Sequence, residues 1–468
     1  MIWLQVALVL LREVLRTLLV PLRLLLYLPF RHHWRRVACD VLATAANAPI
    51  GDPREQLATF FAGRRAQRGD RPHLFVSAGE LSGENHAAKL VRALPANVRT
   101  TAFGGHVLAE AGADVRCQLS EHAVMGFFGV LKQLPLILRA FAAYLRLLRD
   151  DPPDLVVLVD YPGLHVVMAK AAKRAGVPVL HYVAPQYWAW GPWRMRRYRR
   201  AVDATLTILP FETAFFRRFR VPANYIGHPL LDELADAPPD AAAVAEVRAR
   251  RTLVLMPGSR SAEIQTNLPG LLRVAAALRA REPQLRVVLP HKNARRTPLL
   301  RTLLQQHGAE AWVEHHQGPL STWLAGAHLV LVKSGTGSLE ACLHGVPTIV
   351  VYQLRGLLSA IGYHSILSVP WIAAANLIAG RTAVPEFCFT RDQGWDRVIA
   401  AAERLWFDDA ARATAIAELA DVRRRLGAPG ATQRVATIVR EFLFPTSPGA
   451  PPLRQAAGTA TPSTPTPR

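Results

Sequence analysis

The residues best suited to chemistry lie in KSGTGSLEACLHG, at positions 333–345, where a glycine-rich turn follows an apolar run and a carboxylate stands a few residues on. The preceding HLVLV (328–332) reads as a buried parallel strand. The turn Ser334-Gly335-Thr336-Gly337-Ser338 can offer bare backbone N–H groups and hydroxyls to a phosphate where a helix begins. Glu340 would sit on the first turn of that helix, placed to accept hydrogen bonds from a ribose. An ordinary strand-to-helix turn with an N-cap serine is the plainer reading of the same residues. A second element shifts the balance, because LVLMP (253–257) is another apolar strand and runs into Gly258-Ser259-Arg260. A guanidinium beside a glycine and a serine can pair bidentately with a diphosphate, through charge-assisted bonds of roughly 1.5–3 kcal/mol each. Its plainer role is a surface ion pair with Glu263. Two phosphate-sized turns after two strands suit a sugar nucleotide. Neither carries the lysine and hydroxyl pair of a P-loop, so ATP chemistry is not indicated.

Three strand ends stand out in the N-terminal half. SAGELSGE (77–84) is a small-residue turn that carries Glu80 and Glu84 ahead of a helix, and either carboxylate can be a helix-terminal charge with no chemical role. Asp160 ends the run LVVLV (155–159), where a partly desolvated carboxylate can serve as general base. HYVAPQYWAWGPWRMRRYRR (181–200) sets tryptophans and tyrosines ahead of an arginine cluster. Such a loop either packs as core or forms a wall for acyl chains, with arginines for an acidic headgroup.

These side chains need a scaffold, and 468 residues, half of them hydrophobic, allow two domains with substantial cores. Strand-like runs at 73–78, 100–104, 155–160, 178–183, 204–210, 252–257, 285–290, 328–333 and 347–353 alternate with helical spacing at 85–94, 130–149, 163–175, 268–281 and 337–344. That alternation predicts doubly wound α/β units, with a break at 232–251 dividing the body and ligands bound beyond the carboxyl ends of the strands. The expected division is a membrane-associated segment and linker (1–70), an acceptor domain (71–235), a nucleotide domain (236–390), C-terminal helices (391–444) and a disordered tail (445–468). The C-terminal helical residues can cross back over the first half or exchange between two copies, which leaves a homodimer open.

The net charge of +21 calls for an anionic partner, whether nucleic acid, membrane or phosphorylated substrate. The basic stretches lack the spacing of nucleic-acid modules, so no nucleic acid is expected. Cys39, Cys117, Cys342 and Cys388 lie far apart, as buried free thiols in a reducing compartment would. The first thirty residues are strongly apolar but interrupted by Arg12, Arg16 and Arg23, which project in a narrow arc beside Glu13. An arginine at the bilayer centre costs roughly 2.5–3.5 kcal/mol, so a helix lying in the interface is favoured over a spanning one. Pro21 should kink the segment, and Trp34, Arg35 and Arg36 read as headgroup-level anchors.

Taken in order, SAGELSGE, FGGHVLAEAG (103–112), VMGFFGVL (124–131), DYPGLH (160–165), HYVAPQYWAW (181–190), LPFETAFF (209–216), YIGHPLLD (225–232), MPGSRSAEI (256–264), KSGTGSLEACLHGVPTIVVY (333–352) and ANLIAGR (375–381) resemble the lipid-A-disaccharide synthases. Each motif is weak alone; the ordered set is specific. The resemblance implies an inverting, metal-independent GT-B glycosyltransferase with two Rossmann-like domains facing a cleft and no cofactor. It would join UDP-2,3-diacylglucosamine to 2,3-diacylglucosamine 1-phosphate, at the cytoplasmic face of the inner membrane. It also implies Gly258, Ser259 and Arg260 as diphosphate contacts, Ser334, Gly335, Thr336 and Glu340 as the ribose and phosphate cradle, and Asn376 and Arg381 at the nucleotide end. Asp160 becomes the base for the attacking hydroxyl, with Glu80 as the second choice. Ser82, Tyr187, Trp188, Trp190, Arg194 and Arg197 fall on the acceptor and lipid side.

The sequence departs from the pattern where Gly163 replaces a second carboxylate, His165 a frequent asparagine and Glu84 a common aspartate. Asp154 matches another acidic position, set apart from Asp160 by the length of a strand. A UDP-GlcNAc 2-epimerase, which shares the architecture, and a non-catalytic membrane scaffold are the alternative readings.

Overall fold

The computed structural model describes residues 2–45, 51–63, 71–120, 127–354, 356, 362–363 and 365–444. The expected disordered tail and part of the VMGFFGVL motif lie outside them.

Two all-parallel sheets form the body. The first comprises β1 (His73–Ala78), β2 (Arg99–Gly104), β3 (Asp114–Gln118), β4 (Leu155–Val159), β5 (Val179–Tyr182), β6 (Ala204–Thr207) and β7 (Ala223–Tyr225), in the spatial order 3-2-1-4-5-6-7. The second comprises β8 (Thr252–Met256), β9 (Arg286–His291), β10 (Val313–Gln317), β11 (Leu329–Lys333), β12 (Thr348–Gln353) and β13 (Glu386–Phe389), in the order 10-9-8-11-12-13. These are the doubly wound α/β units that the alternating runs predict, two of them as the resemblance implies. The central strands are buried from end to end, LVVLV of β4 and LVLV of β11 among them, because helices cover both faces of each sheet. The order reverses between β1 and β4 in the first sheet and between β8 and β11 in the second. Chain leaving those strands diverges to opposite faces and opens a crevice, and the four turns singled out in the sequence follow these four strands.

The core is continuous between the two halves, with Val156 and Val330 from opposite sheets in one buried cluster. The chain ends tie the halves together. The helix Ala431–Leu443 crosses back to the first sheet and buries Val435, Ile438, Val439 and Phe442 there. Asp232 accepts hydrogen bonds from the N–H groups of Gly430 (2.6 Å), Ala431 (3.1 Å) and Thr432 (2.9 Å), which satisfies the start of that helix. Part of the stretch expected as a linker is helical as well. Leu57 is fully buried, and Phe60 stacks on Phe442 at 4.4 Å.

The N-terminal segment forms the helices Ile2–Leu18, Val20–Tyr27 and Arg31–Ala45, broken next to Pro21. No helix among the described residues is long and apolar enough to cross a membrane. All but four of the large apolar side chains left exposed among the described residues fall between Trp3 and Phe30. The anchors expected in Trp34 and Arg35 are engaged with the body instead. Trp34 stacks on Phe219 at 5.9 Å, and Arg35 donates to the Leu367 carbonyl at 3.2 Å. Tyr27 meets Ser368 at 2.9 Å, so this segment bridges both halves.

Candidate active site

Asp160 follows β4 with φ +52°, and Tyr161 after it has φ +47°. Two consecutive non-glycine residues in the left-handed region are strained, at roughly 1–2 kcal/mol each, and surrounding contacts must hold them there. Those contacts converge on one atom. His165 Nδ1 lies 2.7 Å, and His181 Nε2 3.0 Å, from the Asp160 carbonyl oxygen. A carbonyl only accepts, so both nitrogens donate, and the opposite ring nitrogens accept from the hydroxyls of Ser77 (2.9 Å) and Tyr198 (2.9 Å). Burial holds both imidazoles neutral, His165 down to about 3 and His181 to about 4. The Asp160 N–H donates to Tyr182 O at 2.9 Å. Gly79 completes the clamp, since a β-carbon there would come within 2.3 Å of the Tyr161 ring.

The clamp aims a carboxylate whose pKa is pushed up to about 6, chiefly by burial, with a further upward push from the Glu80 charge and a downward one from a backbone N–H at Tyr161. The structure therefore brings Glu80 and Asp160 together at the switch point. Glu80 precedes the helix Leu81–Arg92, on whose first turn Ser82 is exposed. Glu84, on the same turn, is fully buried and accepts from the N–H groups of Gly105 (2.9 Å) and Leu108 (3.0 Å) and from the Ser120 hydroxyl, a structural role. Asp154 is also structural, accepting from the His73 N–H at 2.7 Å.

A further carboxylate, Glu212, escaped the sequence reading. It is buried beside the site, and burial pushes its pKa to about 7 against the N–H groups of Leu209 and Ile208 and the Trp188 indole, with Asp160 adding to the rise. Its oxygens accept from Trp188 Nε1 (3.0 Å) and the Leu209 N–H (3.0 Å). Trp188 is thus turned into the core, T-shaped against Phe211, rather than set out as a wall for lipid. The rest of the aromatic loop divides. Tyr187 is buried at a cavity edge under Arg194, Trp190 is exposed, and Arg197 is half-buried.

In the second sheet, Gly258 adopts φ +125°, and a β-carbon there would lie 2.6 Å from that of Glu263. Only glycine suits this turn. Glu263 accepts from the N–H groups of Ser259 (3.1 Å) and Arg260 (3.3 Å) and pairs with Arg260 and Lys333, each at 3.0 Å. Burial opposes its ionisation, yet Lys333 and these N–H groups hold its pKa below the usual range. Arg260 is exposed and so can exchange this partner for a ligand. Gly335 precedes the helix Thr336–Leu343, with Thr336 exposed and the Ser334 hydroxyl 3.4 Å from Ile372 O. Glu340 stands in the second turn of that helix, one position beyond the turn expected, and faces Lys292 at 3.5 Å. Arg296 donates to Ser259 O at 3.3 Å. Lys292, Arg296 and Lys333 were not singled out in the sequence, although each stands at or just beyond the end of a strand. With Arg260 they gather four cations along this edge, around Glu263 and Glu340.

Two expected nucleotide contacts are otherwise engaged. Asn376 is fully buried, with its Nδ2 on Val384 O (3.1 Å) and Glu386 (3.0 Å) and its Oδ1 accepting from Ala383 and Val384, both at 2.8 Å. Its amide holds a loop and has no group left for a ligand. Arg381 pairs with Glu418 (2.7 Å) and Asp421 (2.8 Å) on the C-terminal helices.

A profile of the family described as lipid-A-disaccharide synthetase matches residues 74–426. The lipid-A-disaccharide synthase of Geobacter sulfurreducens is 35% identical over 376 residues, 79% of this chain and 97% of that protein. That of Myxococcus xanthus is 35% identical over 382 residues, 80% of this chain and 98% of its own length. Among solved structures, the UDP-GlcNAc 2-epimerase of Neisseria meningitidis bound to UDP-GlcNAc superposes with a TM-score of 0.54 at 13% identity, covering 79% of this chain and all of that one. The S. aureus MnaA-UDP structure gives 0.52 at 15%, covering 81% and 99%. These two likenesses concern the fold alone. The two sheets, the paired switch points and the relatives of near-identical span lead to one assignment: the chain belongs to the lipid-A-disaccharide synthase family.

Proposed function

We propose that the chain transfers a 2,3-diacylglucosaminyl group from UDP to the 6-hydroxyl of 2,3-diacylglucosamine 1-phosphate, giving the β(1→6) disaccharide 1-phosphate and UDP. The single observation that carries this reading is Asp160, a desolvated carboxylate clamped at the switch point of the first sheet. At an ordinary aspartate pKa the group would be a weak base; near 6 it is ionised at neutral pH yet able to hold a proton. In the proposed step the acceptor hydroxyl gives its proton to Asp160 as its oxygen attacks the anomeric carbon from the face opposite the diphosphate. The C1–O bond to UDP breaks as the new one forms, which inverts the centre. The leaving diphosphate takes up negative charge beside Arg260, Lys292 and the N–H groups before the helix Thr336–Leu343. Glu80 raises the basicity of Asp160 through its charge. The apolar N-terminal face would seat the protein on the cytoplasmic side of the inner membrane, where acyl chains reach Trp190 without crossing water.

The test is product analysis. Purified protein given UDP-diacylglucosamine and the lipid monosaccharide phosphate should release UDP in step with a disaccharide phosphate seen by mass spectrometry. UDP release without that product would overturn the reading.

A further inference from the structure

A cavity of about 2070 Å³ lies between the N-terminal helices and the first sheet's helices. Its roof is the helix Ile2–Leu18 and its floor the helices Phe127–Asp150 and Pro162–Arg174. The wall of the aromatic loop brings Tyr187, Trp190 and Trp193. Leu10, Leu24, Ile137, Leu138 and Phe141 make much of the lining apolar. The charges are one-sided. Arg12 and Arg16 descend from the roof, Lys170 rises from the floor and Arg197 enters from the wall, and the one acidic side chain among the described lining residues is Glu13. Glu13 is shared by Arg16 (2.5 Å) and Arg197 (2.7 Å). The Arg197 Nε is buried without a hydrogen-bond partner. Among the described residues no carboxylate lies within ion-pair distance of Lys170, and burial, with the repulsion of Arg197, Arg16 and Arg12, pushes its pKa down to about 8. Cations gathered at such cost around a single carboxylate want an anion, and the apolar lining wants chains attached to it.

The family profile begins at residue 74, so Arg12, Glu13 and Arg16 lie outside the matched segment. We infer that the N-terminal helices complete a binding site for the phosphomonoester head of the amphiphilic acceptor, held by Lys170 and Arg197 of the body and Arg12 and Arg16 of the added roof. The inference rests on the transferase reading and names where its acceptor is held. The occupant is the acceptor rather than a bulk phospholipid because the cavity runs to Tyr161, Pro162 and Gly163, the residues immediately after Asp160. An amphiphile anchored there lays its sugar toward the base, while its chains follow the apolar lining toward the exposed face of Trp3 and Leu4. The expected interfacial helix thereby gains a second use, its cationic stripe turned to the protein and its apolar face left outward.

The experiment measures equilibrium binding of diacylglucosamine 1-phosphate and of its dephosphorylated form to the full chain in neutral detergent micelles, read by tryptophan fluorescence. Wild-type protein should prefer the phosphorylated form by about 10- to 100-fold, the worth of one charge-assisted bond. Lys170→Met and Arg16→Met should each remove most of that preference and leave affinity for the dephosphorylated form unchanged, with Arg16→Lys restoring part of it. Thermal unfolding of each variant verifies the fold. Equal binding of the two forms by wild-type protein overturns the proposal, as do variants that weaken both forms alike. A bulk-lipid site is recognised by variants that lose sedimentation with phosphatidylglycerol vesicles but keep the phosphate preference, which also overturns it. Phosphate-selective binding without UDP release would sink the transferase reading and leave the site standing.

Discussion

Asp160 shows how backbone strain and a titration shift serve one end. Its carboxyl is raised by burial from 3.8 to about 6, a bias of roughly 3 kcal/mol toward the protonated form. The sign follows: the fold is favoured by this group below its unfolded value near 4, and that contribution is lost as pH rises through about 6. Catalysis by the ionised form gains over the same interval. We therefore predict that kcat rises with pH along a limb centred near 6 and levels off above it, measured by UDP release with saturating substrates. In Asp160→Asn that limb should vanish. Glu212 adds to the loss of stability as pH rises toward about 7, whereas neutral His165 and His181 favour the fold above 6.5 and cease to do so as pH falls toward about 3 and about 4. A limb that coincides with unfolding in the same buffers would not count as titration of the base. The clamp itself is testable: His165→Leu removes one of two donors to the Asp160 carbonyl and should cost about 1–3 kcal/mol by denaturant unfolding, together with activity. Asp160 was legible because a carboxylate ending five apolar residues has few structural excuses. Glu212 was not, since nothing in LPFETAFF shows that its side chain turns back to Trp188 and the loop N–H groups.

Among elements, the strands that the apolar runs indicated are the interior ones. β3, β7, β10 and β13, which they did not indicate, are the outermost strands of the two sheets. DVRCQ alternates exposed and half-buried residues, and VEHHQ is polar after its first residue, because an edge strand meets helices or solvent on surfaces that a central strand buries. Runs of apolar residues cannot reveal such strands, and their register comes only from the neighbour. The same limit explains Asn376 and Arg381. A motif fixes residue types, but only the fold shows that the asparagine amide is spent on Ala383, Val384 and Glu386. The C-terminal helix depends on one residue far away in sequence. Three backbone N–H groups hold Asp232 below the usual carboxyl range in spite of burial, so its support is present above about pH 4 and fades in acid. Replacing Asp232 with alanine should lower stability by about 1–3 kcal/mol and open the segment after Gly427 to proteolysis, read by thermal unfolding and limited digestion. An unchanged digestion pattern would show that Phe442 and its apolar neighbours hold the helix without this cap.

At the scale of the molecule, the two halves are joined by more than a hinge. The N-terminal helices reach Leu367 and Ser368, Trp190 bridges to Leu367, and the last helix returns to the first sheet. The alternation of strands and helices disclosed the two sheets, and the reversals of strand order explain why four separate turns matter together. The arginine spacing of the first thirty residues led to the expectation of an interfacial helix, but the cavity beneath that helix depends on side chains of a helix more than a hundred residues on. The central claim is that Asp160 accepts the proton of a lipid hydroxyl as UDP leaves. Its most direct test is to compare wild-type protein with Asp160→Asn, a residue that tolerates the left-handed backbone, in disaccharide formation and in UDP binding by thermal shift. The account predicts disaccharide phosphate from the wild type, a loss of turnover of about 10²–10⁴ in the variant, and equal stabilisation of both by UDP. Near-normal turnover by Asp160→Asn, or conversion of UDP-GlcNAc to UDP-ManNAc by the wild type with no lipid product, would contradict it.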